Sequence, residues 1–318
     1  MYSLGIDLGG TNIAVGVVDT ETGKIVKKGS VPTLADRHAD EIMKDMGSLC
    51  KKLVEEMGLS MEKIGYAGIA APGTIDNETG TVIYSNNIKM DMYPIADKLI
   101  EYSGVKKVYC ENDANAAAYG EAAYGASKGT KNSVMITLGT GVGGGVIVDG
   151  KLVTGINAAA GELGHIVISV GGLSCTCGRR GCWEAYSSAT GLINMTKKKL
   201  ETVSKDETNM WKFIEEEGKV SGRTAFNAMK AGDKAGKEVV DEYLLYLAEG
   251  ITNMVNIFQP EIVVIGGGVC NEKEHLVEPL KVMVDKAQYY KGDGMHTQIK
   301  VAELGNDAGI IGAAMLGF

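Results

Sequence analysis

The sequence predicts an α/β fold made of two related domains. Apolar strand-like segments alternate with helix-like segments through most of the chain. A strand, a glycine turn and a second strand open the chain at residues 2–18, and a similar unit restarts at residues 133–148. The 318 residues are enough for two domains of ordinary size.

Residues 2–7 and 13–18 read as strands joined by a glycine turn, with a third strand at 24–31. Ile42, Met46, Leu49 and Leu53 then line one face of a helix within 36–57. Residues 65–70 are a short apolar strand ending at Pro72-Gly73, and 107–110 another, followed by an alanine-rich helix from about 113 to 125. The segment 133–138 leads through a glycine loop to the apolar Val146–Val148. Val240, Tyr243, Leu244, Leu247, Ile251, Val255 and Phe258 form a long helical stripe over 237–258. Ile262–Ile265 is a buried strand running into three glycines, and a small-residue helix spans roughly 307–316. The charged, weakly periodic stretch 203–235 reads as peripheral helices and loops. The restart places a smaller domain at 1–115 and a larger one at 116–303, with the terminal helix, about 304–318, packing back on the first.

Hydrophobic residues make up 45% and charged residues 23%, which allows a packed core and excludes a disordered chain. The net charge of −8 argues against nucleic acid and anionic membrane as partners, since both are bound by basic patches. No apolar run approaches the ~20 residues of a membrane-spanning helix, and the first residues lack the pattern of a secretory signal. A cytoplasmic location is expected.

Three glycine loops share one chemistry. They are Asp7-Leu8-Gly9-Gly10-Thr11-Asn12, Gly139-Thr140-Gly141 continuing through Gly145, and Gly266-Gly267-Gly268. Glycine lets the backbone approach a ligand closely, and successive N–H groups make an anion-binding nest. Each loop alone reads first as a turn. Neither a GxxxxGK[ST] loop nor a GxGxxG opening a helix after the first strand is present. Asp7, ending an apolar strand beside a glycine turn, suits a metal-facing or phosphate-facing role.

His165, Cys175, Cys177 and Cys182 fall within 18 residues of one another, in the sequence GHIVISVGGLSCTCGRRGC. One histidine and three cysteines are a closed tetrahedral zinc set, so a structural Zn²⁺ is expected there, with Arg179 and Arg180 offsetting thiolate charge. Cys50, Cys110 and Cys270 read as ordinary small core residues. Asp113 reads equally well as a helix cap before the alanine run and as a carboxylate presented at a strand end.

These motifs stand in one order across the chain: DLGGTN at 7–12, ENDANAAA at 111–118, LGTGVGGG at 138–145, GELGH at 161–165, CTCGRRGCWE at 175–184 and IGGGV at 265–269. In that order and spacing the chain resembles the ROK family of sugar kinases and repressors, within the actin-like ATPase superfamily. The resemblance implies two actin-like ATPase (ribonuclease H-like) domains around a central cleft. It also implies ATP and Mg²⁺ as cofactors, with Asp7, Gly9, Gly10, Thr11, Asn12, Gly139, Thr140, Gly141, Gly266, Gly267 and Gly268 on the nucleotide.

It implies Asp113 as the general base for the 6-hydroxyl of a hexose, most readily glucose. Gly73, Asn87, Asn112, Glu162, His165 and Glu184 are implied on the sugar, with His165 also on zinc. Dimers are common in the family, so a homodimer is expected. The sequence departs from the family at Ser85-Asn86-Asn87-Ile88, where glucokinases often continue from Pro-Asn-Leu to a tryptophan. Kinases for N-acetylglucosamine, N-acetylmannosamine, mannose, fructose or allose are therefore the alternatives, with a non-catalytic sugar sensor more remote. Repressors of the family carry a helix-turn-helix domain ahead of the phosphate motif. Here that motif starts at residue 7 and no basic helix precedes it, so a kinase is expected.

Overall fold

The computed structural model describes residues 1–85 and 88–318. The chain divides into two compact units. Residues 1–131, 145–161 and 303–318 form the first, and residues 132–144 and 162–302 the second.

In chain order the elements run β1 Tyr2–Leu8, β2 Asn12–Asp19, β3 Lys24–Pro32, α1 Ala39–Glu55, β4 Ile64–Ala71, β5 Thr74–Asp76, β6 Thr81–Tyr84, β7 Asp91–Tyr93, α2 Ile95–Ser103, β8 Val108–Asn112 and α3 Asp113–Tyr124. They continue with β9 Ser133–Leu138, β10 Val142–Val148, β11 Lys151–Leu152, α4 Trp183–Ser187, α5 Ala189–Leu200, α6 Met210–Glu217, α7 Thr224–Lys230, α8 Lys234–Phe258, β12 Ile262–Gly266, α9 Glu274–Ala287, β13 Gln298–Val301 and α10 Ala308–Met315.

The two five-stranded sheets have the same order, β3-β2-β1-β4-β8 and β11-β10-β9-β12-β13. In the first, β1 pairs antiparallel with β2 and parallel with β4, which pairs parallel with β8. In the second, β12 lies parallel between β9 and β13. The repeat suspected from the glycine hairpins is thus a repeat of topology. The predicted strands and long helices are present within a few residues of their expected bounds. The sequence did not reveal the small antiparallel sheet β5-β6-β7 or the edge strand β13. Those strands have only three or four residues each, too short for an alternating pattern to register.

Helix α1 buries Ile42, Met46, Leu49 and Leu53 against the first sheet, as their spacing predicts. Helix α8 buries the same stripe that the sequence displays, with Phe258 half-buried at its end.

Helix α10 packs against β1, β4 and α3. Its small residues allow that approach: a Cβ at Gly312 would overlap the carbonyl oxygen of Ala116 in α3. Ser3 Oγ and Tyr66 Oη both donate to the Ala314 carbonyl, at 3.0 and 2.7 Å. At the other end of α3, the fully buried Glu121 carboxylate accepts N–H bonds from Ala126 (2.7 Å), Leu304 (2.8 Å) and Glu303 (3.2 Å). The boundary drawn near residue 115 therefore falls inside α3. That helix stays whole in the first unit because its small-residue face and Glu121 are both committed to residues 303–315. Among the described residues no helix is long and apolar enough to cross a membrane.

Candidate functional site

In the first unit the carboxyl ends of three adjacent parallel strands meet one edge of the sheet, the usual ligand edge of parallel α/β structures. Register pairs Asp7 of β1 with Ala70 of β4, and Ala71 of β4 with Asn112 of β8. Asp7, Gly73, Asn112 and Asp113 are thereby gathered from sequence positions more than a hundred residues apart.

The Asp7 carboxyl is pushed up to about 6, first by burial and then by the negative charge of Asp113, with Lys28 opposing both. Folding thus tightens Asp7's hold on its proton. This contribution to stability is full below pH 3.8 and lost as pH rises through about 6. Asp7→Asn is therefore expected to raise the melting temperature at pH 7.5 and, if Asp7 faces the metal as the resemblance implies, to remove Mg²⁺-dependent activity. For the unaltered chain, kcat/KM at limiting Mg²⁺ should fall below pH 6 and recover in part with excess Mg²⁺, which competes with the proton. A flat profile between pH 5 and 7 would remove Asp7 from the metal.

The turn after β1 is a tight hairpin closed by Gly9 N–H to the Asn12 carbonyl at 3.0 Å, with Thr33 Oγ1 donating to the Gly9 carbonyl at 2.6 Å. Gly10, Thr11 and Asn12 are exposed.

Asn112 is the N-cap of α3. Its Oδ1 accepts from the N–H groups of Ala114 (2.9 Å) and Asn115 (3.3 Å), and its Nδ2 donates to the Gly73 carbonyl at 3.0 Å. The cap reading considered for Asp113 therefore belongs to its neighbour. Asp113 begins the helix with its side chain exposed and its Oδ1 accepting from Ala114 N–H at 2.8 Å. Gly73 sits at φ +99°, where a Cβ would also overlap the Tyr84 carbonyl oxygen, so this turn requires glycine on backbone grounds alone. Asn87 lies outside the described residues.

In the second unit, β9 and β12 are parallel neighbours, with Gly266 paired to Thr137. Their carboxyl ends place Gly139-Thr140-Gly141 beside Gly266-Gly267-Gly268. Gly139 N–H donates to the Gly141 carbonyl at 3.0 Å, and Thr190 Oγ1 to the Thr140 carbonyl at 2.8 Å. The triple glycine does not open directly onto an α-helix. A 3-10 turn, Gly268–Glu272, intervenes, and α9 starts only after Lys273, at φ 50°.

The same unit brings His165, Cys175, Cys177 and Cys182 together, with their ligand atoms all within 4.8 Å of one another. His165 Nδ1 lies 3.6 Å from Cys175 Sγ, and Cys177 Sγ lies 3.6 Å from Cys182 Sγ. Zn–S bonds of ~2.3 Å in a tetrahedron space sulfurs about 3.8 Å apart, so the cluster fits the ion. Paired bridges between Val167 and Cys182 and between Ser174 and Arg180 fold the loop back on itself. Arg179 donates to the His165 carbonyl at 3.0 Å, and Arg180 to Ser174 Oγ at 3.1 Å. A hydrogen bond from the Arg179 backbone, chiefly, lowers the Cys177 thiol, while burial pushes the Cys182 thiol up to about 12. Away from the cluster, Cys50 and Cys110 are buried as expected of core residues, whereas Cys270 is half-buried.

Glu162 is exposed at the start of the 3-10 turn that carries His165. Glu184 is already engaged: Oε2 accepts from Val142 N–H at 2.9 Å, and Oε1 from Thr176 Oγ1 at 3.3 Å. It ties the Gly139–Gly141 loop to the cysteine loop. Trp183 faces away, fully buried against Gly250 of α8, with its indole N–H on the Tyr246 carbonyl at 3.1 Å.

The chain is 36% identical over 317 residues to a glucokinase of Halalkalibacterium halodurans, covering 99% of this chain and 94% of that protein. It is 36% identical over 316 residues to a glucokinase of Thermotoga maritima, covering 98% and 96%. A ROK family glucokinase of Streptomyces griseus, solved with glucose and AMPPNP, superposes with a TM-score of 0.83 at 33% identity over 99% of both chains. The α/β architecture with its repeated sheet is the actin-like ATPase fold of these ROK sugar kinases. The family's sequence pattern matches residues 3–317, the glycine loops, the aspartates and the cysteine cluster all falling inside that span, and the chain belongs to the ROK family.

Proposed function

We propose that this protein is an ATP-dependent glucokinase that transfers the γ-phosphoryl group of ATP to the 6-hydroxyl of glucose. The observation that carries the reading is the strand register that brings Asp7, at the end of β1, and Asp113, just after β8, to the same edge of one sheet. A phosphoryl-transfer site needs one carboxylate for the metal and another for the attacking hydroxyl. The full-length likeness to glucokinases supports the same assignment.

Asp113 accepts the proton of the sugar hydroxyl. The sugar oxygen then forms a bond to the γ-phosphorus as the bond to the bridging oxygen breaks, and ADP leaves with that electron pair. Asp7 would hold Mg²⁺, which would supply charge neutralisation on the phosphates. The backbone N–H groups of Gly10 and Thr11, and of the Gly139–Gly141 and Gly266–Gly268 loops, are of the kind that binds phosphate oxygens. Asn112 donates an amide N–H to a ring hydroxyl, the carboxylates of Glu162 and Glu184 accept hydrogen bonds from other ring hydroxyls, and His165 offers its second ring nitrogen. His165, Cys175, Cys177 and Cys182 would hold a Zn²⁺ through all four of its positions, which would fix the orientation of the imidazole and leave the ion a structural role.

The test is kcat/KM with Mg-ATP over hexoses and N-acetylhexosamines. Glucose should lead by about ten- to a hundred-fold. A different leading sugar would keep the mechanism and reassign the substrate. Absence of sugar-dependent turnover in folded, metal-loaded protein would overturn the kinase reading.

A further inference from the structure

The strand-to-helix turn that carries Asn112 and Asp113 is organised by a residue outside the reacting set. Glu111 is 4% exposed. Its Oε1 accepts the N–H of Asn112 at 2.9 Å and Asn115 Nδ2 at 3.0 Å, and its Oε2 accepts Asn77 Nδ2 at 2.5 Å. All three donors are neutral, and among the described residues no cation pairs with this carboxylate. Burying a carboxylate this way costs folding free energy that an apolar side chain would not. Asn115 carries a further cost, because giving its amide N–H to Glu111 leaves its buried Oδ1 without a partner among the described residues.

We propose that Glu111 is the positioning residue for the sugar-facing turn, a role that rests on the kinase reading of Asp113. The carboxylate folds forward from the end of β8, holds the N–H of the next residue, and reaches one turn into α3 to hold Asn115. That fixes the angle at which the strand becomes a helix. Asn112, so held, caps α3 with Oδ1 and spends one Nδ2 proton on Gly73. Asn77 ties the same carboxylate to the loop after β5. The direction of Asp113 and the position of the Gly73 carbonyl therefore share one buried anchor.

The test is Glu111→Gln in the full chain. Glutamine keeps the size and can keep the acceptor on Asn112 and Asn115, but it lacks the charge that strengthens those bonds. Asn77→Ala removes one donor as a milder variant. Glu111→Gln should retain zinc and KM for ATP within about twofold, raise KM for the sugar about fivefold or more, and lower kcat about tenfold, since small misplacements of reacting groups carry large rate penalties. Asn77→Ala should move the same constants less.

Loss of activity matched by loss of folded protein, with both KM values unchanged, would reduce Glu111 to a structural residue. Equal rises in both KM values would do the same. Hydrogen exchange at the Ala114 and Asn115 amides gives a readout independent of turnover. If the unaltered chain phosphorylates no sugar, the kinase reading fails, and faster exchange at those two amides in Glu111→Gln still decides whether Glu111 holds the turn.

Discussion

Asp113→Asn is expected to fold, bind sugar like the unaltered chain, and lose about 10²–10⁴-fold in kcat, the usual share of general-base catalysis. The substitution is nearly isosteric, and the helix does not depend on the lost charge because Asn112 is the cap. Asparagine also keeps an oxygen for the Ala114 N–H. What disappears is the ability to take the proton of the attacking hydroxyl. A second signature accompanies the rate. The negative charge of Asp113 is one of the causes that raise Asp7, so the acid limb of the residual activity should move to lower pH. Steady-state kinetics from pH 5 to 8, with sugar affinity by calorimetry, separates these effects. Near-normal turnover in this variant would sink the assignment of the base.

Cys177→Ser is expected to remove about one equivalent of zinc and to lower activity on sugar, because it takes away one of the four ligands themselves. Cys177 is exposed, so the change opens no core cavity, and any effect has to pass through the metal. The consequence spreads from the loop outward. Without the ion, His165 Nδ1 and Cys175 Sγ keep only their own weak 3.6 Å contact. Thr176, bonded to Glu184, lies between Cys175 and Cys177, and Glu184 in turn holds Val142 at the glycine loop. Metal analysis of the purified protein before and after chelation, with KM for sugar and ATP on each sample, is the measurement. Unchanged zinc content in the variant, or a purified wild-type chain without zinc that is fully active, would remove the claim.

Much of this site could be read from the sequence, because its parts are local. Each glycine loop announces itself within a few residues, and the histidine and three cysteines close over a short loop whose ligand types suit zinc. The long helices carried their stripes in the open. What escaped was whatever depends on partners far along the chain. Glu121 looks like any acidic residue on an alanine helix, yet its oxygens bind N–H groups of residues 303 and 304. Glu111 opens the motif that carries Asp113, but one of its partners, Asn77, sits in a loop between two very short strands. Glu184 was legible as a carboxylate near the cysteines, though not as one already bonded to Val142. Burial of a charge is a tertiary fact, and no pattern of neighbours in sequence displays it.

The packing of α10 has a consequence for how the chain becomes a protein. Residues 1–131 leave the ribosome long before the helix that covers β1, β4 and α3 has been made, since all of the second unit is synthesised in between. Until α10 arrives, the small-residue faces of Gly5, Gly68 and Gly120 have no covering backbone, and Glu121 lacks two of its three N–H partners. The second unit has its strands and helices within one nearly continuous stretch and can close first. The first unit waits as a partly covered sheet until α10 has been made, so folding of its opening strands is coupled to synthesis of residues 303–315.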